Sequence, residues 1–164
     1  MEQYIIFKLN NQKYAIEISR IDRIIDYNEP KQIPETFDYV LGVIKYDDRI
    51  LPIIDLTKKL YNTNVTIDTK SKVIVTTWKD RMLGFLVEDI EGIQRFTSDQ
   101  IEENHEQYEI SKKYIAGFIK LEDDIVIILD TQQLFDYEQE EDILDIEEKF
   151  EEIAKSGEST IYIC

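Results

Sequence analysis

Apolar and polar side chains alternate from the start of the chain. Ile5, Phe7 and Leu9 share one face, Asn10-Asn11-Gln12-Lys13 reads as a hairpin turn, and Tyr14, Ile16 and Ile18 resume the alternation. A period of two predicts strands, because successive side chains leave the backbone on opposite faces. Ile21 to Ile25 either continues that strand or forms a short helical turn. Glu29-Pro30 breaks the run, and Ile33-Pro34 puts the next segment at a sheet edge or outside it, since proline lacks the ladder donor. Val40 to Ile44 and Ile50 to Ile54 then pair across residues 45–49. Asp55 precedes a short helical run, Leu56 to Leu60, as its N-cap, and Asp130 repeats the device before Thr131 to Phe135. Polar residues 62–72 connect to a second set of strands at Val73 to Trp78, Leu83 to Ile90, Ile119, and Ile125 to Leu129. Short strands at even spacing predict small barrels or a sandwich.

From Gln139 the period lengthens. Ile143, Ile146, Phe150 and Ile153 fall on one helical face, while Glu140, Glu141, Asp145, Glu148, Glu151 and Glu152 cover the other. The pattern predicts an acidic amphipathic helix over 139–157, stopped at Gly157, with its apolar stripe packed on a barrel or, alternatively, held out for a partner's groove. Residues 158–164 read as an added strand or a tail.

The chain also repeats itself. Residues 39–60 align without a gap to residues 114–135 at an offset of 75, with identity at Tyr39/Tyr114, Gly42/Gly117, Ile44/Ile119, Lys45/Lys120, Asp48/Asp123, Ile50/Ile125, Ile53/Ile128 and Asp55/Asp130. A weaker register at an offset of 69 sets residues 14–18 over 83–87 and continues through Ile21/Ile90 and Ile24/Ile93. Fixed-offset similarity predicts two copies of one strand plan, and a seam between two lobes is a favoured place for binding.

Charge and chemistry narrow the function. With 19 basic and 35 acidic residues the net charge is −16, which repels nucleic-acid backbones and anionic lipid. No run reaches the ~20 apolar residues of a membrane-spanning helix, and no signal peptide is expected. The one cysteine, Cys164, rules out an internal disulfide framework and suits a reducing, cytoplasmic setting. The one histidine, His105, lies in a polar stretch, and one His with one Cys is too few for a metal site of that type. Phosphate loops and nucleophile elbows are missing too, so neither cofactor nor metal is expected. The one catalytic alternative is a carboxylate dyad of Asp55 and Asp130, one activating water and the other protonating. Gln132 replaces the glycine that an aspartic-protease turn needs, and helix capping explains both aspartates at less cost.

The ordered blocks resemble a known family. Residues 14–25, Ile33-Pro34, residues 39–44 and residues 50–56 look like the first half of a CheW-like chemotaxis coupling domain, and residues 83–90, 114–119 and 125–130 look like its second half. The resemblance implies an all-β body with a C-terminal helix. Its two five-stranded SH3-like barrels would be related by duplication, the first over residues 1–68 and the second over 69–138. It also implies a non-catalytic adaptor that docks a CheA-type histidine kinase onto the cytoplasmic tips of methyl-accepting chemoreceptors at the inner membrane. A CheV-type scaffold working without its receiver domain is the alternative.

Family members tend to carry an acid where this chain has Arg23, and Asn-Leu-Arg-Gly where it has Lys45-Tyr46-Asp47-Asp48. Arg23 and Asp47 thus exchange the polarity of the family pattern and are expected to pair beside the binding surface, setting partner choice and register more than stability. Loss of the turn glycine at Asp48 questions a tight turn there. Ile21, Ile24, Ile93 and Phe96 are the candidates to line a receptor groove at the seam. Tyr39, Ile44 and Tyr46 are the candidates for a kinase-facing strand edge.

Overall fold

Two-residue turns fold the chain into hairpins. Strands β1 (Glu2–Leu9) and β2 (Gln12–Glu17) meet at Asn10 and Asn11, with φ of 49° and 68°. Strands β6 (Lys72–Trp78) and β7 (Arg81–Val87) meet at Lys79 and Asp80, with φ of 46° and 64°. Positive φ at both central residues matches the turn to the right-handed twist of the strands, and asparagine and aspartate tolerate it well. These are features of the computed structural model, which describes residues 2–103 and 112–155. His105, the expected stop at Gly157 and residues 158–164 lie outside that description.

The remaining strands are β3 (Ile21–Asp26), β4 (Val40–Tyr46), β5 (Arg49–Asp55), β8 (Asp89–Phe96), β9 (Ile101–Glu103), β10 (Ile115–Lys120) and β11 (Ile125–Leu129). One sheet has the order β3-β6-β7-β5-β4, and the other β8-β1-β2-β11-β10-β9. Five strands of each sheet correspond through the repeat, and the short β9 adds a sixth to the second. Parallel pairing is matched as well: Ile53 lies opposite Gly84 in one sheet, and Ile128 opposite Ala15 in the other. Those pairs are related by the same offsets, 75 and 69, that the sequence carries.

Division of the chain differs from the expected 1–68 and 69–138. The hairpin β1–β2 joins the sheet built from β8, β10 and β11, while the hairpin β6–β7 joins the sheet of β3, β4 and β5. Each repeat lends its hairpin to the other. A 3-10 turn over Ile18–Arg20 separates β2 from β3, so β3 pairs with β6 rather than continuing beside its own hairpin.

That exchange fills the seam. One buried cluster takes Ile5, Phe7, Leu9, Tyr14 and Ile16 from the first hairpin, Val43, Ile50 and Ile54 from β4 and β5, and Trp78 and Phe85 from the second hairpin. The hydroxyls of Tyr14 and Tyr61 also hydrogen-bond within it. Tyr4, Ile6, Phe96, Ile119 and Ile128 form a second core inside one sheet, and Tyr46, Leu51, Ile53, Val75 and Leu86 form a third inside the other. Strand β1 is therefore apolar on both faces, which explains its unbroken Tyr4-Ile5-Ile6-Phe7 run. The seam is core, not the open groove the sequence suggested.

Helix α1 (Leu56–Tyr61) follows β5, and α2 (Tyr137–Lys155) closes the fold. Ile143 and Ile146 are buried in the seam cluster, with Leu144 and Phe150 at its margin. As far as Phe150 the stripe packs on the body, as the periodicity predicted. Arg81 Nη1 lies 3.2 Å from the buried Glu147, and Lys79 pairs with Glu140 at 3.0 Å. Helix α2 packs mainly along β5, and the repeat is broken in one respect: Ile50 is buried, yet its counterpart Ile125 is 54% exposed.

Candidate interaction surface

Both sheets present one edge strand with the same irregularity. In β3 the pairing steps from Ile21–Thr76 to Arg23–Val75, leaving Asp22 as an extra residue. In β8 it steps from Gly92–Ile6 to Ile90–Phe7, leaving Glu91 extra. Such bulges twist an edge and discourage indiscriminate strand pairing. A short way beyond each bulge stands an isoleucine in the same repeat position: Ile24, 37% exposed, and Ile93, 55% exposed. Large apolar side chains held open at two matched sites are what a partner's apolar surface would cover.

The other two groove candidates do not join them. Ile21 is half-buried against the seam cluster. Phe96 is buried, with its ring 6.1 Å from that of Tyr4, and offers no surface. An aromatic beside a charged residue at a strand end gave a false signal, because Arg95 points out and Phe96 in. Exposed Ile67, Ile125 and Tyr137 were not anticipated; each has an acidic neighbour in the sequence, Asp68, Asp124 and Asp136.

Arg23 and Asp47 do meet. Arg23 Nη2 lies 3.7 Å from Asp47 Oδ2, its Nε lies 3.6 Å from Asp22 Oδ2, and its Cζ stands 5.0 Å from the centre of the Tyr46 ring. The Tyr46 hydroxyl donates to Asp22 Oδ2 at 2.5 Å. Burial, then the Asp22 carboxylate, pushes that hydroxyl up to about 12. Both members of the Arg23–Asp47 pair are more than half exposed, so it is worth only about 0–1 kcal/mol. The hairpin between β4 and β5 is tight although Asp48 replaces the turn glycine: the left-handed conformation falls on Asp47, at φ 53°.

At the outer edge of β4, the Lys31 backbone exchanges two 2.9 Å hydrogen bonds with Val43. Among the described residues nothing else pairs there. Ile44 is half-buried and Tyr46 buried, both in the core of the five-stranded sheet. Tyr39 is buried in the seam cluster, so it does not belong to an exposed edge.

Asp55 and Asp130 act on backbone. Asp55 accepts from the Lys58 N–H at 3.1 Å, and Asp130 from the Gln132 N–H at 3.0 Å, each capping a helical turn on a different sheet. The dyad reading thereby loses both groups to capping. Burial pushes the Asp55 carboxyl up, against the pull of its backbone donors. An acid raised in the fold costs stability as pH rises past the unfolded value. Asp55→Asn, which keeps a capping oxygen without the charge, should equal or exceed wild-type stability at neutral pH, and the gain should vanish in acid. Asp55→Ala should cost about 1–2 kcal/mol. Thermal melts across pH check both, and loss in Asn equal to that in Ala would refute the capping role.

No group of His, Cys, Asp or Glu among the described residues is placed to hold a metal ion, and no helix there is long and apolar enough to cross a membrane.

Comparison with known proteins follows the same lines. A family model described as a CheW-like domain matches residues 3–139. A chemotaxis protein CheW of Klebsiella aerogenes is 29% identical over 139 residues, covering 84% of each chain. Chemotaxis protein CheV3 of Helicobacter pylori is 30% identical over 131 residues, covering 75% of this chain and 41% of its own. Among solved structures, the scaffolding protein TtCheW of Thermoanaerobacter tengcongensis superposes with a TM-score of 0.75 at 22% identity, over 84% of this chain and 90% of that one.

Proposed function

The chain belongs to the CheW-like domain family of non-catalytic chemotaxis adaptors, and on that premise we propose that it couples a CheA-type histidine kinase to the cytoplasmic tips of methyl-accepting chemoreceptors. The observation that carries this reading is the pair Ile24 and Ile93, apolar side chains held open at equivalent places on two bulged edge strands. A receptor's apolar helical tip would bury them. The β4 edge from Ile44 onward would pair with a related barrel of the kinase, main chain to main chain.

Arg23 and Asp47 flank that surface and would set register and partner choice through charge. The protein then works in the cytoplasm, held at receptor arrays beneath the inner membrane, and performs no chemistry of its own. A CheV-type role has less support, since the CheW relative matches 84% of this chain and the CheV3 relative 75%. Gel filtration of the chain with a soluble receptor-tip fragment and the kinase's regulatory domain tests the proposal. All three should elute in one complex; a chain that migrates apart from both partners would end it.

A further inference from the structure

The chain passes between the two sheets twice. It leaves β2 for β3 through the turn Ile18–Arg20, and β7 for β8 through the single residue Glu88. Between those points, from Ile21 to Val87, every strand belongs to the five-stranded sheet. Ile24 therefore stands on one lobe and Ile93 on the other. Their separation depends on the angle between the lobes. The apolar seam alone does not set that angle, because hydrophobic contact is non-directional.

Directional links cross the seam at repeat-equivalent places. Glu88 Oε2 accepts from the Asn10 N–H at 2.5 Å and from the Thr57 hydroxyl at 3.1 Å. The Glu88 N–H donates to the Lys8 carbonyl at 3.3 Å. Helix α1 is thus tied to the β1–β2 hairpin of the opposite lobe. The repeat offsets of 75 and 69 carry Thr57 to Gln132 and Lys8 to Thr77. Gln132 Nε2 donates to the Thr77 carbonyl at 2.9 Å, joining the turn after β11 to β6. Glutamine is long enough to reach that carbonyl directly. Threonine is shorter, and Glu88 spans the gap on its side. The Tyr14–Tyr61 hydroxyl contact has no such counterpart, since Leu83 and Asp136 hold the equivalent positions. An incidental hydrogen bond has no reason to recur under the repeat.

We propose that Glu88 and Gln132 are positioning residues, two matched braces that fix the angle between the lobes and with it the spacing of Ile24 and Ile93. A receptor tip that covers both isoleucines then meets them already in place, with no ordering of the lobes to oppose binding. The consequence for binding rests on the receptor reading given above. The braces themselves do not.

Two spin labels read the braces directly, at the exposed positions Asp26→Cys on β3 and Gln94→Cys on β8, in the full chain with Cys164→Ser. Glu88→Met with Gln132→Met keeps both side-chain lengths and removes their polar ends. In that double variant the distance between labels should shift or spread by about 2 Å. Glu88→Gln, which retains an acceptor oxygen, should hold the unaltered distribution. Without labels, the double variant should bind a receptor-tip fragment about tenfold more weakly, with thermal melts verifying that it is folded. If it does not fold, Gln132→Met alone carries the same test, since that side chain is only half-buried. An unchanged distance distribution in a folded variant would overturn the braces. A changed distribution with full receptor affinity would overturn their positioning role. If the unaltered chain does not bind the tip, the receptor reading falls and the distance measurement alone decides the braces.

Discussion

Alanine at Gly42 should destabilise the protein by about 3 kcal/mol or more, the largest loss expected from one methyl group in this chain. An added Cβ would sit 2.1 Å from the Lys31 carbonyl oxygen and 2.6 Å from its carbon, and the backbone there has a φ of 143°. The methyl group therefore meets main chain, which cannot swing aside as a side-chain tip can. It would push Lys31 off the β4 edge and break the two hydrogen bonds to Val43. The repeat supplies internal controls. At Gly117 the added Cβ would come within 2.5 Å of the Glu102 carbonyl oxygen, where β9 covers β10, and Gly92 has a φ of 138° with open space around it. Losses of about 3, 2 and 1 kcal/mol should follow in the order Gly42, Gly117, Gly92. For a protein of this size the first corresponds to a fall of about 6–12 °C in Tm. Equal losses at all three positions, or none at Gly42, would remove the close-approach explanation.

The second large effect concerns binding. Changing Ile24 and Ile93 together to aspartate should weaken receptor-tip binding by well over about tenfold, because buried apolar anchors dominate interface energy and a desolvated carboxylate opposes it. Both side chains are exposed on edge strands, so stability should change by no more than about 0.5–1 kcal/mol. Phe96→Ala makes the contrasting case. It empties a buried site beside Tyr4 and should cost about 3–5 kcal/mol of stability, with any loss of binding following from unfolding. Binding titrations paired with thermal melts separate the two. Wild-type affinity in the double variant would exclude these isoleucines as anchors.

The repeat was legible because several of its identical residues do identical work. Gly42 and Gly117 each admit a covering backbone, and Asp55 and Asp130 each cap a turn. Alternation located most strands for an equally local reason. The hairpin exchange was not legible, since self-similarity reports which segments are alike and is silent on which of them pair. That silence misplaced the seam: Ile5, Phe7 and Leu9 fill it, where the sequence left a groove. Of the site residues, Arg23 and Asp47 were paired because both depart from the family pattern with their signs exchanged, and the two do meet. Phe96 and Tyr39 were misjudged, because an apolar residue looks the same in one dimension whichever way it faces.

Chemistry absent from this chain should still pass through it. The decisive measurement is receptor control of kinase autophosphorylation, reconstituted from purified kinase, receptor fragments and this protein with labelled ATP. Kinase output should follow the receptor state only when the chain is present, and the chain itself should carry no label. Coupling that persists in its absence, or label accumulating on the chain, would contradict the adaptor role.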